Sequence, residues 1–172
     1  FLPGYFAQAI SELGVFPILL DLNNESLIKS SALLKSQGFS SDSFQLNLKD
    51  KFQIRETISN ISNKYSSIDV LINGAAFAMK NMKEAEKNYF ANFEDYDDEL
   101  WQVALDINLT GTFLITQCVG SLMKMQGRGS IVNIASDVGI ISPDHRIYEP
   151  DEERDYKGVS FNTPISYSVT KA

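Results

Sequence analysis

Short, unbroken apolar runs alternate along this chain with amphipathic segments, and that alternation constrains the fold more than any other feature. "VFPILLD" (15–21), "SFQLNL" (43–48), "IDVLIN" (68–73) and "GSIVNIAS" (129–136) read as buried strands. Helical stretches are expected at 5–13, 25–37, about 51–65 and about 97–125. Ile54, Ile58, Ile61 and Tyr65 recur at helical spacing, and Leu100, Val103, Ile107, Leu114, Cys118 and Leu122 lie on or near one face of the last helix. Gly14 and Gly38 stand where helices would end, and Pro17 is expected near a strand start. Strands apolar throughout, each followed by a helix long enough for a right-handed crossover, predict an α/β fold with a doubly wound parallel sheet.

With 172 residues, 44% of them hydrophobic, the chain can bury one sizeable core, so 1–172 reads as a single domain. It begins at "FLPGYFAQAI" and stops at "SYSVTKA", as if cut inside an element at each end, so further strands are expected beyond it. The formal net charge is −7 and the basic residues form no stripe, which argues against nucleic acid or an anionic membrane as a main partner. Cys118 is the only cysteine, so no disulfide framework exists within the chain and a reducing, cytoplasmic setting fits. One His and one Cys, 27 positions apart, offer no clustered zinc set, so no metal is expected. There is no run of 18 consecutive apolar residues, and no signal peptide is visible.

Ligands of open parallel sheets bind beyond the carboxyl ends of the strands. Asp21, the stretch Asn73-Gly74-Ala75-Ala76 and Ser136 fall there, and Asn108 can reach the same region from the long helix. Each also has an ordinary reading: a helix cap for Asp21, a small-residue turn for "NGAA", a loop hydroxyl for Ser136, a solvent-facing side chain for Asn108. Near the chain end, "YSVTK" puts Tyr167 and Lys171 one helical turn apart on one face. That spacing suits an acid/base pair, and equally a surface ring with a cation stacked on it.

Taken together, "INGAA", "DINLTG", "GSIVNIAS" and "YSVTK" resemble, in order and approximate spacing, the short-chain dehydrogenase/reductase family. The resemblance implies a Rossmann-type three-layer sandwich, incomplete at both ends here, that binds a nicotinamide cofactor. It implies a catalytic set of Asn108, Ser136, Tyr167 and Lys171. It further implies cofactor contacts at Gly4 (the end of a glycine-rich loop), Asp21, Asn47 with Leu48 beside it, Asn73, Gly74, Ala75, Tyr167 and Lys171. "INGAA" departs slightly from the family's usual pattern but keeps small residues, and Asn47 stands where the family commonly has an aspartate. A carboxylate at Asp21 with no basic residue in the following "LNNES" favours NAD over its 2′-phosphorylated form.

The chemistry fits that set. A free tyrosine hydroxyl ionises near pH 10 and is a poor base, and a neighbouring ammonium favours its ionised form. Ser136 would hold the substrate oxygen, and Asn108 could hold a water that links Lys171 to solvent. Ser136 and Tyr167 lie 31 positions apart, farther than most relatives of this kind place them. The excess falls in 139–166, expected as an inserted segment beside the active site. Its core "SPDHRIYE" resembles the branch of flagellin-modification and surface-sugar oxidoreductases. There His145 and Arg146 are candidate substrate contacts, with Tyr148, Tyr156 and Phe161 available to cover a sugar ring; a solvent-facing His145 is the alternative. The expected function is hydride transfer between NAD(H) and an alcohol or ketone carbon of a polar or nucleotide-linked sugar, in a homo-oligomer. A catalytically silent NAD-binding regulator or scaffold of the same fold is the competing reading.

Overall fold

A computed structural model describes residues 2–78, 91–142, 144, 147 and 163–172. The elements follow the expected order. Helix α1 spans Leu2–Glu12, strand β1 Ile18–Asp21, α2 Asn24–Ser36, β2 Asp42–Gln45, α3 Lys51–Lys64 and β3 Val70–Asn73. Next come α4 (Asp98–Ala104), a π-helical segment (Leu105–Gly111), α5 (Thr112–Gln126), β4 (Ser130–Asn133) and α6 (Ile165–Lys171). Short-range polar chemistry sets three helix starts. The side chains of Asn23, Asp50 and Asp97 accept backbone N–H groups in the first turns of α2, α3 and α4. Gly14 and Gly38, both at positive φ, follow α1 and α2 as expected.

The strands are shorter than the apolar runs that announce them. Pro17 lies just ahead of β1, where its missing N–H costs nothing, and its carbonyl accepts the Asp42 N–H at 3.1 Å. From there β1 and β2 run parallel, Ile18 opposite Asp42 through Asp21 opposite Gln45. The strands form two hydrogen-bonded pairs, β1–β2 and β3–β4, rather than one continuous sheet. A sheet is continuous only where a strand bonds both inner edges, and among the described residues none does so.

The chain divides into two compact units, residues 1–75 with 111–132, and residues 76–110 with 133–172. The core of the first unit joins Ile54, Ile58 and Ile61 of α3 to Ile115, Val119 and Met123 of α5, with Leu46 just after β2 and Leu71 of β3. Each such side chain, taken out of water, contributes about 1.5–3 kcal/mol. The stripe on α3 is the one its periodicity predicts. On α5 the deepest positions are one residue on from those expected: Leu114, Cys118 and Leu122 flank the core and Ile115, Val119 and Met123 fill it. The run Asp98–Gln126 is long and apolar enough to cross a membrane by length and composition alone, but these three residues within it are buried in the core.

At the start of β2, Asp42 accepts hydrogen bonds from the Lys64 ammonium and the Tyr65 hydroxyl. The Lys64 bond, then the Tyr65 bond, holds the Asp42 carboxyl below its usual range. Its stabilising contribution is therefore complete above the unfolded value of about 3.9 and is lost as pH falls through the lower folded value. Urea unfolding of the protein between pH 5 and pH 2 (about the range in which carboxylates titrate) is expected to show a smaller acid-induced loss in Asp42→Asn than in wild type. An equal loss would mean that the contact adds nothing.

The second unit contains α4, which packs on α6, and a 3₁₀ turn, Asp137–Gly139, which also packs on α6. The π segment Leu105–Gly111 interrupts what periodicity predicts as one regular helix. Its sequence, "LDINLTG", holds a β-branched residue, an Asn, a Thr and a Gly in close succession, all weak helix formers. Single π turns recur at functional sites.

Candidate active site

Of the residues expected at the cofactor, all but Tyr167 and Lys171 fall in the first unit. Asp21 closes β1, and its Oδ1 accepts the Asn23 N–H at 2.8 Å. It is therefore not the helix cap; Asn23 is, and Asp21 orders the turn into it while its side chain stays exposed. Asn47 makes a similar local turn, its Oδ1 accepting the Lys49 N–H at 3.0 Å, and Leu48 packs against the core. Asn73 closes β3 and donates to Thr116 Oγ1 at 2.9 Å, which fixes the strand end from which Gly74 and Ala75 lead away. Gly4 lies within the first turn of α1, and a Cβ there would meet nothing within 4 Å.

Residues expected to do the chemistry fall in the second unit. Asn108, in the π segment, is 7% exposed rather than solvent-facing. Its Oδ1 accepts the Phe77 N–H at 2.6 Å, and its Nδ2 donates to the Phe77 carbonyl at 3.3 Å and to Thr170 Oγ1 at 2.9 Å. Both amide protons are thereby committed to protein. The side chain braces the segment after β3 against α6.

Tyr167 and Lys171 share one face of α6, with the Lys171 Nζ 6.0 Å from the Tyr167 ring centroid. Lys171 also donates to the Ile134 carbonyl at 2.7 Å, and burial pushes its ammonium below the usual lysine range. Ser136 precedes the Asp137–Gly139 turn, and its hydroxyl donates to Asp137 Oδ1 at 3.0 Å. One unit thus contains all four members of the expected catalytic set.

Sequence reasoning missed what holds these residues in place. Gly139 is one such position. A Cβ built there would stand 2.2 Å from the Lys171 carbonyl oxygen, 2.4 Å from its carbon and 2.6 Å from the Ala172 nitrogen. Only a residue without a side chain lets the turn after Ser136 lie against the backbone of Lys171. The glycine is visible in "SDVG", but nothing local marks it as a contact. Ser166 and Thr170, buried on the neighbouring face of α6, are the others. His145, Arg146, Tyr148, Tyr156 and Phe161 lie outside the described residues. Among the described residues, no group of three or more His, Cys, Asp or Glu is placed to hold a metal.

Known proteins of one family match this chain. Residues 4–148 match the short chain dehydrogenase family. The chain is 29% identical over 141 residues to an NAD-dependent glycerol dehydrogenase of Listeria innocua, covering 82% of this chain and 50% of that protein. It is 35% identical over 118 residues to a 3-oxoacyl-[acyl-carrier-protein] reductase of Thermotoga maritima, covering 69% and 43%. The fold superposes on NAD⁺-bound xylitol dehydrogenase with a TM-score of 0.76 at 25% identity, over 96% of this chain and 53% of the other. The chain thus spans about half the length of the curated relatives it matches. Tyr167 and Lys171 lie past the family match. With the strand–helix order, the superposed fold and the match over residues 4–148 in agreement, this chain belongs to the short-chain dehydrogenase/reductase family.

Proposed function

We propose that the full-length protein is an NAD-dependent oxidoreductase acting on an alcohol carbon of a polyhydroxylated, sugar-like substrate. The observation that carries this reading is Lys171, half-buried, bonded to Ile134 and 6.0 Å from the Tyr167 ring, in the same compact unit as Ser136 and Asn108. The cofactor, when bound, accepts the hydride. Asp21 would receive the adenine-ribose hydroxyls, with Asn47 and Leu48 near the adenine and Gly4, Asn73, Gly74 and Ala75 along the cofactor. The chemistry of these groups fits: an exposed carboxylate at a parallel strand end, and small residues after β3. The first lysine after Asp21 in the sequence, Lys29, is paired with Glu25 at 2.7 Å, which supports the unphosphorylated cofactor.

In this reading Tyr167 takes the proton of the substrate hydroxyl as the carbon gives up its hydride. Lys171, its ammonium 6.0 Å from the Tyr167 ring, carries charge for the exchange. Ser136 turns its hydroxyl from Asp137 to the substrate oxygen, a rotation about one bond, and stabilises the charge that develops there. Asn108 contributes by fixing the backbone around Lys171 through Thr170; a water held near it remains part of the proposal.

Glycerol and xylitol, named for two similar proteins, support a polyol. The "SPDHRIYE" segment supports, from sequence alone, a place near the surface-sugar branch, with His145 and Arg146 at the substrate and 139–166 as an insertion in a single domain. The half-buried free thiol of Cys118 suits a reducing cytoplasm. Incubating the full-length protein with NAD⁺ and a panel of polyols and sugar-derived alcohols is expected to produce NADH. Tight NADH binding without turnover on any of them would favour a silent, regulatory NAD-binding protein instead.

Self-association belongs to the same proposal. Phe113 and Met125 of α5 are exposed at 59% and 77%, apolar surface that a second copy could cover. Sedimentation of the full-length protein at micromolar concentration is expected to give a dimer or tetramer, and a monomer would count against it.

A further inference from the structure

The seven residues of α6 carry two pairs at helical spacing. One pair is Tyr167 and Lys171. The other, Ser166 and Thr170, is 0% and 7% exposed. Helical geometry offsets neighbouring residues by about 100° around the axis, so whatever holds the second pair aims the first. Two bonds hold it, one buried and one part-buried. The Ser166 hydroxyl lies 2.7 Å from the hydroxyl of Tyr96, just ahead of α4. Thr170 Oγ1 accepts from Asn108, in the π segment just after α4, and donates to the Ser166 carbonyl at 2.7 Å. The two ends of α4 are thereby tied to the two turns of α6, on which α4 also packs.

We propose that Tyr96 is a positioning residue for the Tyr167–Lys171 pair, its hydroxyl setting the axial rotation of α6 through Ser166. One tie alone would leave so short a helix free to swing about it; two ties, one per turn, fix its rotation. The tolerance is small. A rotation of about 10° moves a group about 8 Å from the helix axis by about 1.4 Å, given a backbone radius of about 2.3 Å with a tyrosine extending beyond it. A misplacement of about 1 Å can cost about 10²-fold in rate. Tyr96 is set for this work: it is half-buried, and burial pushes its hydroxyl above the usual tyrosine range, so it stays a neutral donor and acceptor.

The consequence for turnover rests on the function proposed above, so the test has one arm that needs no turnover. In full-length Tyr96→Phe, kcat is expected to fall about 10- to 100-fold while the Kd for NADH changes less than about twofold. Ser166→Ala should show the same loss, and the double variant should be no worse than either, because one bond is removed once. Independently, the NMR titration of ¹³C-methylated Lys171, assigned by its absence in Lys171→Arg, should move up in both variants as its burial against Ile134 loosens. If wild type shows no NAD-linked turnover, the proposed function fails while this titration still reads the positioning. A Lys171 titration unchanged in both variants overturns the proposal, as do additive losses of kcat. Collapse of the melting temperature in either variant also overturns it, since the bond would then be a prop of the fold.

Discussion

Tyr167→Phe in the full-length protein is expected to lower turnover by about 10²- to 10⁴-fold, the usual worth of a positioned acid/base group. The substitution keeps the ring beside the Lys171 ammonium and removes only the hydroxyl, so α6 and its contacts survive. Cofactor affinity should therefore stay close to wild type while kcat and kcat/KM fall together, the mark of an interaction made in the transition state. Steady-state kinetics paired with an NADH binding titration would separate the two quantities. Activity left unchanged would remove Tyr167 from the mechanism and, with it, the proposed role of Lys171.

Gly139→Ala is expected to have a comparably large effect for an entirely steric reason. The new Cβ would overlap the carbonyl group of Lys171 and the next backbone nitrogen, atoms that cannot rotate aside as a side chain can. Either the Asp137–Gly139 turn or the end of α6 has to move, and Ser136 or Lys171 moves with it. Overpacking of this kind costs about 1–3 kcal/mol of stability. A displacement of an ångström at the reacting groups costs about 10²-fold in rate. Denaturant unfolding together with kinetics on the purified variant would measure both. A variant as stable and as active as wild type would show that the turn can yield without disturbing α6.

These two positions also show how unevenly the molecule could be read from its sequence. The order of strands and helices was legible because it rests on local signals: apolar runs, helical periodicity and glycines at helix ends such as Gly14 and Gly38. Tyr167 and Lys171 were legible as a pair because helical spacing alone puts them on one face. Their supports were not. Tyr96 and Ser166 are 70 positions apart, and no periodicity links them. Gly139 matters through a backbone approach that exists only once α6 is folded against the turn. The π segment escaped because its apolar residues fit a regular helix nearly as well, although its run of weak helix formers was a usable clue.

The bond between Asn108 and Phe77 distributes tolerance to substitution unequally. Asn108 grips both the N–H and the carbonyl of one residue, so this contact depends on the backbone of position 77 and not on its side chain. As far as the bond is concerned, every residue type except proline, which lacks the N–H, serves equally well there. At position 108 the requirement is strict: aspartate has the shape but no protons for the Phe77 carbonyl and Thr170, and leucine makes none of the three bonds. Drift along the segment after β3 can therefore proceed without loosening its hold on α6, because one side of the contact is written in side-chain chemistry and the other in the chain that every residue shares.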